Sequence, residues 1–228
     1  MSKLKPETLG PAVGMIVHDL RNPAATLRAN LSFVREVADD PSVAHSELVE
    51  ALEDAQQALS DVMRGLDQLS WIGRWMQGQS PATTNHEDIR ESVRRGAQRV
   101  HSDRVELKLP EEAIPGRGGE ALSRLVELLI VNSLAHGGPR PVRVSVSPEQ
   151  DGSARIEVSD EGRALAQEFQ ESAWTLDGQH ALKSRGDGRY SRVLGLFTAR
   201  LLADAMQATL TAEGEDGRAL FRVRVPAR

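Results

Sequence analysis

The chain has 228 residues, 39% of them hydrophobic, and a net charge of −5 with acidic and basic side chains interspersed. That length and apolar content bury a real core in one or two domains, which excludes a disordered chain, and the mixed charge leaves no basic stripe to follow a phosphate backbone, so nucleic acid is not an expected partner. Cysteine is absent, excluding disulfides, thiol catalysis and cysteine metal sites; no apolar run approaches the roughly 20 residues that span a bilayer, and Met1–Lys5 lacks a hydrophobic signal core, so the expectation is a soluble cytoplasmic protein without a membrane span.

Aromatics make up only 4% of the chain, so its core must be built from Leu, Val, Ile and Ala, which suits helical packing. From Leu9 the apolar positions fall at Leu9, Val13, Ile16, Leu20, Ala24, Leu27, Leu31, Val34 and Ala38, a heptad seam with one irregularity around Pro23. Asp39-Asp40-Pro41-Ser42 breaks it. A second helix starts near Ser46 with Leu48, Leu52, Ala55, Leu59, Val62, Leu66, Leu69 and Ile72 at alternating steps of four and three. Two such helices form an antiparallel hairpin. One hairpin cannot cover both its seams, so pairing with a second copy into a four-helix bundle is expected, making a homodimer. Periodicity alone also fits an ordinary coiled-coil interaction module. Trp71 and Trp75, four apart, fit either a ligand-stacking pair or apolar anchors at the end of helix two against the next domain, and the anchors are the expected reading. The expected domains are a hairpin over 1–78, a polar linker over 79–84 and a second domain over 85–228.

Within the first helix, Val17-His18-Asp19-Leu20-Arg21-Asn22-Pro23 concentrates reactive side chains. Residues i and i+4 share a helix face, so His18 and Asn22 point the same way, with Asp19 stepped around the barrel. Imidazole is a competent nucleophile toward phosphorus near neutral pH, and an adjacent carboxylate can hold its other ring nitrogen. Pro23 removes a backbone N–H and is expected to bend the helix there. Without context the pair also fits a solvated helix face. The whole heptapeptide resembles the H-box of sensor histidine kinases: His, an acid, a hydrophobic residue, Arg or Lys, Thr or Asn, and Pro. The resemblance implies that His18 accepts the phosphoryl group, that Asp19 is the adjacent base and orienting group, and that Asn22 positions water in phosphatase reactions.

In the second domain Asn85 reads as a helix cap, with Glu87 and Asp88 in the first turn of a helix running to about Val100. Val105–Leu109 alternates as a strand and stops at Pro110. A helix from about Gly119 to His136 carries Leu122, Leu125, Val126, Leu129, Ile130 and Leu134 on one broad face. Strands are expected over Val142–Ser147 and Ala154–Ser159, then a short helix, a loop rich in Gly and Arg, and a helix from about Ser191 to Met206. Strands near Ala208–Ala212 and Ala219–Val225 close the chain. The expected fold class is therefore α+β, a helical hairpin followed by a two-layer α/β sandwich with three helices on one face of a mixed sheet.

This order resembles the catalytic ATP-binding domain of histidine kinases, a branch of the fold shared with gyrase and the Hsp90 chaperones, whose cofactors are ATP and Mg²⁺. The resemblance assigns Asn132 to the box that holds Mg²⁺ and phosphate, with His136 at its end. Leu128 stands where that box has an acid or amide, and Ala135 where it has lysine. Asp160-Glu161-Gly162 matches the box whose aspartate binds the adenine amino group; its second glycine is Ala164 here. The last box, Gly-x-Gly-Leu-Gly-Leu in the family, reads Ser191-Arg192-Val193-Leu194-Gly195-Leu196, keeping only Gly195 of its glycines. Those glycines let backbone N–H groups approach phosphate oxygens without a Cβ in the way. Gly186-Asp187-Gly188 could form a substitute phosphate loop, and Lys183, Arg185, Arg189 and Arg192 fit either a phosphate site or a solvated loop.

The H-box is intact while the glycine boxes are eroded, a combination similar to stand-alone dimeric histidine phosphotransferases with a degenerate kinase-like second domain. It implies exchange of a phosphoryl group between His18 and an aspartate of a response-regulator receiver, and it argues against ATP-dependent autophosphorylation. Two alternatives stay open at this level: a working autokinase using Asn132, Asp160 and Gly162, and an inert dimeric scaffold that binds a receiver or kinase.

Overall fold

The computed structural model describes residues 6–38, 40, 42–79, 85–162, 171–175, 178, 193–215 and 218–227. The chain divides into two compact units, one ending at Ser70 and the other beginning at Trp71.

The first unit is the hairpin. Helix α1 spans Pro6–Val37 and α2 spans His45–Met76. Pro6 takes the first helical position, where a missing N–H costs nothing. The helix then continues through Pro23 without interruption. Between the helices, the Asp40 carboxylate accepts the Ser42 amide at 2.9 Å and the Ser42 hydroxyl at 2.6 Å, and Val43 N–H returns to the Asp40 carbonyl. That Asx turn reverses the chain. The Ser42 hydroxyl, then its amide, hold the Asp40 carboxyl below its ordinary range.

The stripe expected along α2 divides into two. Up to Ser70 the buried positions are small, Ala51, Ala55, Ala58 and Gly65, and Ile72 near the end of the helix is buried as well. Leu52, Leu59 and Leu66 instead stand 43%, 48% and 48% exposed, alongside Val49 and Met63. The reason is close approach. A Cβ added to Gly65 would lie 2.3 Å from Leu20 Cδ2, so the leucine of α1 fills the hollow that the glycine leaves. Small residues draw α1 onto α2, and the large leucines are turned outward on the next heptad face.

In the second unit, the segment expected to open as a helix at Asn85 begins as a strand. Strand β1 (His86–Asp88) pairs antiparallel with β3 (Pro115–Arg117), which the sequence did not signal. Helix α3 (Ile89–Gln98) starts only at Ile89, with Asp88 as its cap accepting Arg90 N–H. Glu87, expected in that first turn, caps a different helix. Its Oε1 and Ser92 Oγ both accept Gly119 N–H at 2.9 Å, at the start of α4 (Gly119–His136), where the cap residue Gly118 has no side chain to offer. Burial pushes the Glu87 carboxyl up, but hydrogen bonds from Ser92, Gly119 and Arg95 outweigh it and lower the carboxyl overall.

The main sheet adds β2 (Val105–Lys108), β4 (Val142–Pro148), β5 (Ala154–Asp160), β6 (Thr209–Glu215) and β7 (Arg218–Val225) in the order β2-β4-β5-β7-β6. Strands β2 and β4 run parallel; the other neighbours are antiparallel. Register places Val144, Val158, Phe221 and Ala212 in one row across the inner face. Over that face lie α3, α4 and α5 (Val193–Ala205), burying Leu122, Leu125, Leu129, Ile130 and Leu202 among its apolar residues. Trp174, from a 3-10 turn at Ser172–Trp174, meets Phe221 edge to face at 6.3 Å, and Trp71 packs partly buried against the same core. The Trp75 side chain lies outside the described residues. The outer face is polar. Arg155 and Arg224 lie directly opposite, a like-charge pair that Glu149 offsets by accepting from both.

Candidate functional site

The first candidate site is the exposed face of α1. The His18 side chain is 59% exposed, and its Nδ1 lies 3.3 Å from Asp19 Oδ1. In the tautomer that donates from Nδ1 to that carboxylate, Nε2 is left with the lone pair. Asn22 is exposed one turn further on, and Thr26 Oγ1 donates to its backbone carbonyl at 3.3 Å. The position of this face follows from packing that the local motif does not contain. Leu20, two residues after His18, seats against Gly65 of α2 and fixes which side of α1 is buried.

The second lies in the sandwich, where the last turn of α4 meets the end of β5. Asn132 and His136 share one face of α4. Asn132 is only 7% exposed, and its Nδ2 finds no hydrogen-bond acceptor among the described residues. A buried amide donor left unmade is costly, which marks the position as one that awaits an acceptor. Asp160 closes β5 at 3% exposed, and its Oδ1 accepts Gly162 N–H at 2.7 Å.

Sequence reasoning missed what holds these together. A Cβ on Gly137 would lie 2.6 Å from Asp160 Cβ, so only glycine lets the chain leaving α4 pass the aspartate. The loop that follows is braced twice. Arg104 donates to the carbonyls of Gly138 and Arg140, and Arg140 makes a two-pronged pair with Glu161 at 2.9 and 3.0 Å. Nothing in the sequence signalled that Gly137 lies against Asp160.

At the α5 side the fit is poorer. The helix begins at Val193, and a Cβ on Gly195 would meet nothing within 4 Å, so packing among the described residues does not demand glycine there. Leu128, one turn before Asn132, packs against the apolar core. Ala164, Lys183, Gly186-Asp187-Gly188, Arg185, Arg189, Ser191 and Arg192 lie outside the described residues, as does the side chain of Val193. An adenine nucleotide with Mg²⁺ therefore finds matching residues for its base, Asp160 with Gly162, and a buried donor in Asn132. Among the described residues, the position one turn before Asn132 offers no carboxylate to a metal-bound triphosphate, because Leu128 packs there against the core.

Residues 118–228 match the family described as histidine kinase-, DNA gyrase B-, and HSP90-like ATPase. The chain is 26% identical over 227 residues to the sensor histidine kinase MtrB of Mycolicibacterium paratuberculosis, covering 92% of this chain and 38% of that protein. It thus spans well under half the length of this relative. Among solved structures, the Acinetobacter baumannii histidine kinase AdeS superposes with a TM-score of 0.60 at 16% identity, covering 92% of this chain and 98% of that one. A bacterial phosphotransferase matches 98% of each chain with a TM-score of 0.50 at 12% identity. These two likenesses establish the fold. Among the described residues, no helix is long and apolar enough to cross a membrane.

Proposed function

Residues 118–228 form the ATPase-type domain of the two-component histidine kinase family, and on that premise we propose that the chain is a phosphoryl carrier. It exchanges the group between His18 and the aspartate of a response-regulator receiver. The observation that carries the reading is the exposed His18 with its Nδ1 held toward Asp19 at 3.3 Å. His18 Nε2 attacks the phosphorus of the receiver's aspartyl phosphate. The N–P bond forms as the P–O bond breaks, and the aspartate leaves with the electron pair. As positive charge develops on the ring, Asp19 accepts the Nδ1–H bond more strongly. The step reverses with a second receiver. Asn22, one turn away, orients water when the receiver is dephosphorylated.

The outward positions Val49, Leu52, Leu59, Met63 and Leu66 follow heptad steps and support a homodimer, in which α2 of two copies completes a four-helix bundle. A second reading, an autokinase that takes the γ-phosphate of Mg-ATP, is favoured by Asn132 and Asp160 and opposed by Leu128 and the α5 start.

The test has two arms. The chain is incubated with a phosphorylated receiver and, separately, with labelled ATP and Mg²⁺; acid-labile label is then measured in the parent and in His18→Ala. Label from the receiver, lost in His18→Ala, is the expected result. Label from ATP establishes the autokinase instead. Label from neither, with a receiver shown to be competent toward another histidine carrier, leaves a scaffold.

A further inference from the structure

We infer that Arg21 is the phosphoryl-binding residue of the exposed α1 face: its guanidinium takes the oxygens of the phosphoryl group as the group arrives at His18 and holds them while it stays there. The inference deepens the proposed carrier function and rests on it for its context.

Position comes first. Arg21 stands three residues after His18, and residues three apart on a helix are neighbours, with Cβ atoms about 5–6 Å apart. The Cα–Cβ bonds of a helix tilt toward its N-terminus, so a long side chain at position 21 leans back over the turn that carries position 18. The rotation of α1 that seats Leu20 against Gly65 leaves both His18 and Arg21 exposed. Arg28 is ten residues from His18, about 15 Å along the axis, and cannot serve the same nitrogen.

Charge comes second. Among the described residues Arg21 makes no ion pair and no side-chain hydrogen bond. Its neighbours three and four positions away along the helix are Val17, His18, Ala24 and Ala25, so only a phosphorylated His18 would bring an anion to it there. A phosphoryl group adds about two negative charges to a face where the Asp19 carboxylate already lies 3.3 Å from Nδ1 of the same ring. Asn22, one turn on, is neutral and offsets none of that repulsion. A guanidinium offsets it, and its planar fork can donate to two phosphoryl oxygens at once. The two charged residues beside His18 thus divide the work: Asp19 holds the ring, and Arg21 holds what the ring carries.

The full chain is treated with phosphoramidate, a small anionic donor. His18 Nε2 attacks its phosphorus, the P–N bond of the donor breaks, and ammonia leaves with the electron pair. The initial rate at His18 is read from the phosphohistidine signal that His18→Ala lacks. Arg21→Gln is expected to lower this rate about three- to tenfold, Arg21→Lys, which keeps the charge without the fork, to lie between the two, and Arg28→Gln to match the parent. At about 1 M salt, where the screening length is about 3 Å, the deficit of Arg21→Gln is expected to shrink to within about twofold. Diethyl pyrocarbonate, an uncharged electrophile that acylates imidazole, is expected to modify His18 equally fast in the parent and in Arg21→Gln. Slowing toward both reagents marks a disturbed helix face and overturns the inference, as do equal phosphoramidate rates in the parent and Arg21→Gln, or an Arg28→Gln as slow as Arg21→Gln. No receiver enters this experiment. A chain that takes no phosphate from a competent receiver loses the carrier function whatever Arg21 does, whereas a carrier whose phosphoramidate rate ignores Arg21→Gln keeps its function and loses this inference.

Discussion

The sandwich closes its own core, with Leu129, Ile156 and Phe221 at or near zero exposure, while the hairpin leaves three leucines of α2 about half exposed. The sandwich has two layers to lay face to face; the hairpin has one layer and two seams. It spends its small residues on the inner seam and keeps its bulk for the outer one. The lesson is that the sandwich should be stable in its own right, whereas the stability of the hairpin should depend on what covers the outer seam, and so on concentration.

The largest effect should come from the closed core. Leu129→Ala is expected to cost about 2–5 kcal/mol of unfolding free energy in denaturant titration, independent of protein concentration, because the cavity cannot collapse. At the open seam, Leu59→Asp should barely alter the intrinsic stability of one copy but should convert the proposed dimer to a monomer, measured by light scattering over a dilution series. A dimer that survives this substitution would remove the contrast. Gly65→Val should cost about 1–3 kcal/mol by driving a branched side chain into Leu20, and should also lower phosphoryl acceptance at His18, since Leu20 sets the rotation of that face. The smallest effect sits on the outer face of the sheet. Arg224, Ser153 and Arg155 lower the Glu149 carboxyl from its ordinary 4.5 to about 2. A depressed carboxylate stabilises the fold fully above its unfolded value and loses that contribution as pH falls toward its folded one. Acid titrations of the parent and Glu149→Gln should therefore diverge above about pH 4.5 and converge by about pH 2, with the variant the less stable at neutral pH.

Much of the fold was legible because its signals were local. The α4 helix spans Gly119–His136 as expected, since a continuous apolar face and its flanking glycines mark both ends. Strands β4, β5 and β7 announced themselves by alternation. What misled was chemistry with two uses: Asn85, Glu87 and Asp88 look like one helix start, yet Asp88 alone caps α3 while Glu87 reaches the start of α4, distant in sequence. In the α2 stripe, periodicity counted leucine and alanine alike as apolar. It could not say that the alanines face α1 and the leucines do not.

At the two sites the division falls the same way. His18, Asp19, Asn22, Asn132, Asp160 and Gly162 were marked by motif and spacing, because reactive groups must stand in fixed order along one element. Gly65 behind Leu20, Gly137 against Asp160, and the Arg104 and Arg140–Glu161 braces were not. Each depends on two stretches that only folding brings within a few ångströms, where one absent Cβ or one ion pair decides how closely they pass. The sequence by itself determined which chemistry each element carries. The tertiary structure decided which way that chemistry faces.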